Sequence, residues 1–213
     1  MPRPRFSKLE PDKQSKILVI AASEFAENGF EGASYNRIIE RAGLSKGAMY
    51  YYFDDKTDLY VTVLEDAVGR MMAAVSEGLD AVGGYWAQFE HMFKRSVAFA
   101  LEHPEFGALA RGFMNAPERL RAEGALESIY ETYRQQTTEM IEAGQALGEV
   151  RTDLPMPLLV SVTFAMGEAI DRWWLEHVEE LEDADIDKWA RELIGLFRRV
   201  AEPRGDEPWN GCC

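Results

Sequence analysis

The chain has 213 residues, 46% of them hydrophobic and 28% charged, with glycine and proline in ordinary amounts. That composition belongs to a globular protein with a real core and excludes a disordered or fibrous chain. No apolar run approaches the roughly 18 residues of a membrane span, and nothing behind Met1-Pro2-Arg3-Pro4-Arg5 has the length of a signal peptide, so a cytoplasmic protein with no membrane partner is expected.

Helical periodicity dominates and no alternating β-branched run appears, which predicts an all-α fold. Ile17, Ile20, Ala21 and Phe25 form an apolar stripe at helical spacing, giving a first helix from about Asp12 to Asn28. Gly29 ends it, and Phe30 is expected to fold back onto the last turn. Ser34 is a candidate N-cap for a second helix running to about Arg41, which Gly43 ends with Leu44 as a buried anchor. Ser45 caps a third short helix through about Tyr52. Asp54 or Asp55 caps a fourth, from Lys56 to near Val82, before the break at Gly83-Gly84. Longer helices follow near Tyr85–Glu102, Glu105–Met114, Ala122–Leu147, Pro157–Leu181 and Ile186–Ala201, separated by proline- and glycine-containing breaks. The expected division is an N-terminal part of short helices at 1–56, a larger helical part at 57–203 and a flexible tail at 204–213. Cys212 and Cys213 lie adjacent in that tail, where they staple no core and complete no metal or catalytic set.

The second and third helices, joined by Ala42-Gly43-Leu44-Ser45, have the form of a helix-turn-helix. Lys46, Tyr50 and Tyr51 fall on one face of the third helix, while Met49 and Phe53 face the core. Lys56 opens the fourth helix, where the macrodipole disfavours a cation, and a nearby phosphate would explain it. The net charge of −14 argues against nonspecific nucleic-acid binding by the whole surface. Residues 1–56, however, hold nine Lys/Arg against eight Asp/Glu, so the acidity sits in the rest of the chain.

The words Ala22-Ser23-Glu24-Phe25-Ala26-Glu27-Asn28-Gly29-Phe30, then Ala42-Gly43-Leu44-Ser45-Lys46-Gly47-Ala48-Met49-Tyr50, then Tyr52-Phe53-Asp54-Asp55-Lys56 and Leu59 resemble the DNA-binding domain of the tetracycline-repressor (TetR) family. Two positions depart from the family pattern: Ile39 stands where a small Ala is usual, and Tyr52 where His is frequent. The resemblance implies a dimeric, ligand-responsive transcription factor, acting as a repressor on a palindromic operator of double-stranded DNA. It makes Tyr50 and Lys56 phosphate binders, puts Lys46, Gly47 and Tyr51 toward the groove beside the cap Ser45, and sets Ser34, Tyr35 and Arg37 as a clamp on the backbone. The arm with Arg3, Arg5 and Lys8 is either a minor-groove contact or an idle tail.

For the remainder, the resemblance implies a ligand-binding and dimerisation bundle. Phe89, Phe93, Phe113, Met114, Tyr133 and Phe164 are candidates to line a pocket for a largely apolar or aromatic effector, with Arg111, Asn115, Arg134, Gln136 and Glu168 as nearby polar groups. Leu158, Val162, Ala165, Ala169 and Trp173, with Trp189, Leu193, Leu196 and Phe197, are candidates for the face of a homodimer built as a four-helix bundle. An enzyme reading finds little support. His91, His103 and His177 each follow a Glu directly and none completes Glu-x-x-His. No phosphate loop or nucleophile set appears, so no catalytic residue, cofactor or metal is expected. The acidic run Glu176 to Asp187 reads as a solvated face and turn.

Overall fold

A computed structural model describes residues 4–177 and 186–203. Ten α-helices and no strand occur among the described residues: α1 (Pro11–Gly32), α2 (Tyr35–Ala42), α3 (Lys46–Tyr52), α4 (Lys56–Ser76), α5 (Tyr85–Glu102), α6 (Pro104–Met114), α7 (Glu118–Ala122), α8 (Glu127–Ala146), α9 (Met156–His177) and α10 (Ile186–Ala201). Among the described residues no helix is long and apolar enough to cross a membrane. Arg3, most of the acidic run (178–185) and the tail with Cys212 and Cys213 lie outside the described residues.

Two expected helices change. The fourth ends at Ser76, and a 3-10 turn at Leu79–Ala81 follows, because Gly78 turns the chain at φ 77°. The expected helix Ala122–Leu147 begins as the separate α7 and resumes as α8. Between them Gly124 adopts φ 71°, and the Ala125 N–H donates back to Leu120 O at 2.9 Å, which closes α7. Gly29 breaks α1 as expected, at φ 63° and ψ 176°, and Phe30 returns to stack on Phe25 with the rings 11° from parallel.

Packing divides the chain into two compact units. One holds the chain through Met72 together with Ala100–Ile129, and the other Ala73–Phe99 with the chain from Tyr130 on. The first unit is therefore not continuous in sequence. The reason is α6, which packs along α1 and draws the middle of the sequence into the first unit. That unit's core joins Phe25, Phe30 and Tyr60 in mutual ring contact to Ile38, Met49, Phe53, Leu59 and Leu120. Arg119 of α7 grips Glu31 with two guanidinium nitrogens at 3.0–3.2 Å and lies over the Phe30 ring.

In the second unit, Tyr85, Trp86, Ile141, Val150, Leu159, Ala190, Ile194 and Phe197 form the centre of the core. Arg151, 6% exposed, ties the loop before α9 to the end of α10. Its guanidinium pairs with Asp153 at 2.6 and 2.7 Å and donates to Val200 O, and its N–H donates to Ala201 O at 2.8 Å.

Candidate nucleic-acid interface

The turn joining α2 to α3 follows from three side chains. Gly43 sits at φ 71° and ψ 31°, a conformation that any Cβ makes costly. Its N–H donates to Glu40 O and that of Leu44 to Ile39 O, both at 3.1 Å, which satisfies the last carbonyls of α2. Ser45 Oγ then accepts from the Ala48 N–H at 3.1 Å, and Ser34 Oγ from the Arg37 N–H at 3.3 Å, so each hydroxyl starts its helix.

The phase of α3 follows from burial. Met49 and Phe53 are fully buried, which leaves Tyr50 and Tyr51 about half exposed on the outer side, with Lys46 and Gly47 exposed at the start of the helix. The Tyr35 ring at the head of α2 lies 5.5 Å from the Tyr50 ring, and Arg37 is exposed two residues further on. The structure thus brings Tyr35 and Tyr50 together as one aromatic wall across the two helices. A planar guanidinium, an ammonium and phenol hydroxyls are the donors that phosphodiester oxygens take.

Lys56 turns toward the end of α1. Its ammonium lies 2.7 Å from Phe30 O, 3.2 Å from Glu31 O and 3.1 Å from Ala33 O, and 4.7 Å from the centre of the Phe30 ring. All three of its hydrogens have main-chain acceptors where α1 ends. These carbonyls are acceptors for the cation at the head of α4, and Asp55 Oδ1 caps the same helix by accepting from the Asp58 N–H at 2.9 Å.

Glu24 is the residue that sequence reasoning passed over. It is fully buried, and its Oε1 accepts from the Ser34 N–H at 2.9 Å and from Arg37 Nη1 at 3.0 Å, while Oε2 lies 3.8 Å from Arg41 Nη1. One carboxylate of α1 therefore holds both the first residue and the exposed guanidinium of the α2 head. The signal was present: Glu24 stands seven residues after Ile17, on the apolar stripe itself, where an acid belongs only if partnered. Tyr52 is half-buried and meets the Phe6 ring edge-on at 6.2 Å.

The other candidate residues are distributed over both units. Phe89 and Phe93 pack against the second unit's core, Phe89 on Phe197 at 4.8 Å and Phe93 on Trp174 at 6.2 Å. Phe164 meets Tyr130 at 6.4 Å, and the Tyr133 hydroxyl is pushed well above its ordinary range by burial and then by the charge of Asp171. Phe113 and Met114 belong to the first unit, where Arg111 and Asn115 border a recess against Phe25, Asn28 and Phe30. Along α9, Leu158, Val162, Ala165, Ala169 and Trp173 are all exposed and share one face. Leu196 is exposed and Trp189 rests on Trp173 at 5.2 Å. Leu193 and Phe197, by contrast, are 8% exposed, because they lie on the inward side of α10, and Phe197 belongs to the core of its own unit.

The histidines have local roles. His91 Nε2 lies 2.8 Å from Glu77 O, and His177 stacks on Trp173. Among the described residues no group of three or more His, Cys, Asp or Glu is placed to hold a metal.

Residues 17–63 match the family model for bacterial regulatory proteins of the tetR family. The chain is 26% identical to the HTH-type transcriptional repressor AcnR of Corynebacterium diphtheriae over 69% of its own length and 73% of that relative's. It is 37% identical to the HTH-type transcriptional activator FasR of Mycolicibacterium smegmatis, over 35% of each chain. Its backbone resembles that of FadR from Bacillus subtilis, solved in complex with stearoyl-CoA, with a TM-score of 0.70 over 86% of this chain and 96% of that one at 17% identity. At that identity the likeness concerns the fold.

Proposed function

The chain belongs to the TetR family of bacterial transcription regulators, and from that premise we propose that it is a homodimeric repressor released from a palindromic operator by a largely apolar or aromatic small molecule. The observation that carries the DNA-binding part is the outer surface of the helix-turn-helix. Tyr35 and Tyr50 pack together there, and Arg37, Lys46 and Tyr51 are exposed on the same two helices. In this reading Arg37 and Tyr50 hold phosphates, Lys46, Gly47 and Tyr51 meet the groove, and Ser34, Tyr35 and Ser45 set the helix heads. Lys56 acts through the fold, by fixing the end of α1.

The exposed apolar face of α9, with Ala165 and Ala169 permitting close approach and Leu196 beside it in role, is the face offered to a second copy. A two-fold pairing presents two recognition helices to two half-sites. The effector enters the C-terminal bundle, with Phe89, Phe93, Tyr133 and Phe164 as its apolar contacts. It shifts the dimer toward a conformer with a different spacing of the two α3 helices, by as much as its affinities for the two states differ. FadR, solved with stearoyl-CoA, is a neighbour whose ligand carries a long apolar chain, and that supports an effector of this class.

The test is a titration of the purified protein against DNA from upstream of its own coding sequence, at several salt concentrations, beside Arg37→Ala and Tyr50→Ala. Tight binding to one fragment that weakens steeply with salt and with either substitution is expected. Equal, weak binding to all fragments, untouched by the substitutions, would refute the reading.

A further inference from the structure

The segment ahead of α1 is pinned to the helix-turn-helix. Phe6 is 3% exposed, with its ring 4.8 Å from that of Phe53 and 6.2 Å from that of Tyr52. The Leu9 N–H donates to Phe6 O at 2.9 Å, and Gln14 Nε2 donates to Leu9 O at 2.6 Å, so a closed turn leads into α1. Burying a phenylalanine contributes about 2 kcal/mol, enough to hold a short segment in one place.

Once Phe6 is fixed, its neighbour has little freedom. The Arg5 guanidinium lies 4.2 Å from the centre of the Tyr51 ring, and Tyr51 is 48% exposed on the outer side of α3. A guanidinium stacked on an aromatic face is held by the ring's quadrupole and keeps its in-plane N–H donors available at the edges. Those donors suit the paired oxygens of a phosphodiester. An idle tail would leave Phe6 in water, and a minor-groove arm would have to lift Arg5 off Tyr51.

We propose that the turn at residues 4–9 is a fixed part of the DNA site, in which Phe6 is the anchor and Arg5, held on Tyr51, binds a backbone phosphate beside the groove that α3 enters. This rests on the DNA-binding reading above. It adds a contact from outside the helix-turn-helix and gives Tyr51 a second task as the platform for a cation.

The experiment measures affinity for the bound upstream fragment by fluorescence anisotropy across a salt series, for wild type, Arg5→Gln, Tyr51→Ala and the double variant. Arg5→Gln is expected to weaken binding about tenfold at low salt, the worth of one charged hydrogen bond. The slope of log K against log salt should become shallower by about 0.9 for each Arg5 that touches DNA. The loss should be equal on unrelated duplexes, as for a phosphate contact. The double variant should lose less than the product of the single losses, because removing Tyr51 already frees Arg5. Because Arg5 is exposed, the thermal melt of Arg5→Gln should match wild type. Wild-type affinity and slope in Arg5→Gln would overturn the proposal, and so would a loss confined to one base sequence. If wild type itself bound no duplex in a salt-dependent way, the DNA-binding reading would fall first, and that failure is distinct from the failure of Arg5 alone.

Discussion

Replacing Lys56 by methionine keeps most of the stem and removes an ammonium that three main-chain carbonyls share. Two of the acceptors, Phe30 O at 2.7 Å and Ala33 O at 3.1 Å, are partly buried, and the third, Glu31 O at 3.2 Å, is exposed. A hydrogen bond to a charged group contributes about 1.5 kcal/mol at the lower end, while an exposed acceptor finds water instead. Two bonds then give about 3 kcal/mol, and the cation over the Phe30 ring adds about 0.5 kcal/mol. For a chain of this size the loss corresponds to a fall in Tm of roughly 7–14 °C. Urea unfolding followed by circular dichroism measures it, and a salt series of DNA affinity well below the melting range supplies the second axis. A Lys56 that holds the end of α1 predicts lower stability with an unchanged salt slope. A Lys56 spent on phosphate predicts wild-type stability and a slope shallower by about 0.9 per contact. The second pattern would refute the reasoning, because the three carbonyls would then have no claim on the ammonium.

Other substitutions probe the remaining joints. Glu24→Gln places an amide where Oε2 approaches Arg41 and weakens the hold on Arg37, so it should cost about 1–3 kcal/mol and reduce DNA affinity; an unchanged melt and affinity would show that the carboxylate positions nothing. Gly144→Ala gains about 1 kcal/mol of helix propensity, but its Cβ would strike Val150 and come within 2.7 Å of the Tyr85 ring, both buried. Overpacking of about 1–3 kcal/mol wins, and a net loss by thermal melt is expected. Asp171 is raised from its ordinary 3.8 to about 6, by burial and then by Glu168, although part of the residue meets solvent. A raised carboxylate pKa means the folded state binds the proton more tightly, so stability falls as pH rises from about 4 through 6. Asp171→Asn should therefore be the more stable protein at pH 7.5, by about 1 kcal/mol after allowing for solvent, and should lose that advantage below pH 4; a constant gap across pH would show that the carboxyl does not titrate there. Val162→Glu puts a charge in the middle of the exposed α9 face and should shift a dimer toward monomer in sedimentation, whereas an unchanged mass would remove α9 from the interface.

The helix-turn-helix was legible because local chemistry fixes it. Ser34, Gly43 and Ser45 act on backbone groups within five residues of themselves, and the alternation of Met49 and Phe53 with Tyr50 and Tyr51 sets the face of α3 without help from afar. The same locality explains the bounds of α5 and α10, which agree with the expected Tyr85–Glu102 and Ile186–Ala201. The carbonyl partners of Lys56 and the role of Glu24 were missed for the opposite reason: their partners are 23 to 26 and 10 to 17 residues away, and no spacing rule pairs an ammonium with carbonyls at the end of another helix.

That contrast says which candidate residues deserve a functional reading. An exposed polar residue near a helix head is ambiguous in sequence, because the head needs caps and staples as much as a ligand needs donors. Lys56 and Arg37 look alike in the sequence, each a cation near a helix start. The structure separates them by what is left over. Lys56 has three hydrogens and three carbonyls to take them, while Arg37 gives one nitrogen to Glu24 at 3.0 Å and keeps 54% of its side chain exposed. A guanidinium anchored at one corner and open at the others is oriented in advance, so in the proposed site it would meet a phosphate without first losing its rotamer freedom. Arg5 on Tyr51 has the same design with a ring as the anchor in place of a carboxylate. The two arginines should therefore respond differently to their anchors. Removing Glu24 takes away a charge that offsets Arg37, so part of the lost positioning is returned as a stronger pull on phosphate. Removing Tyr51 takes away no charge, and what it costs Arg5 is orientation alone.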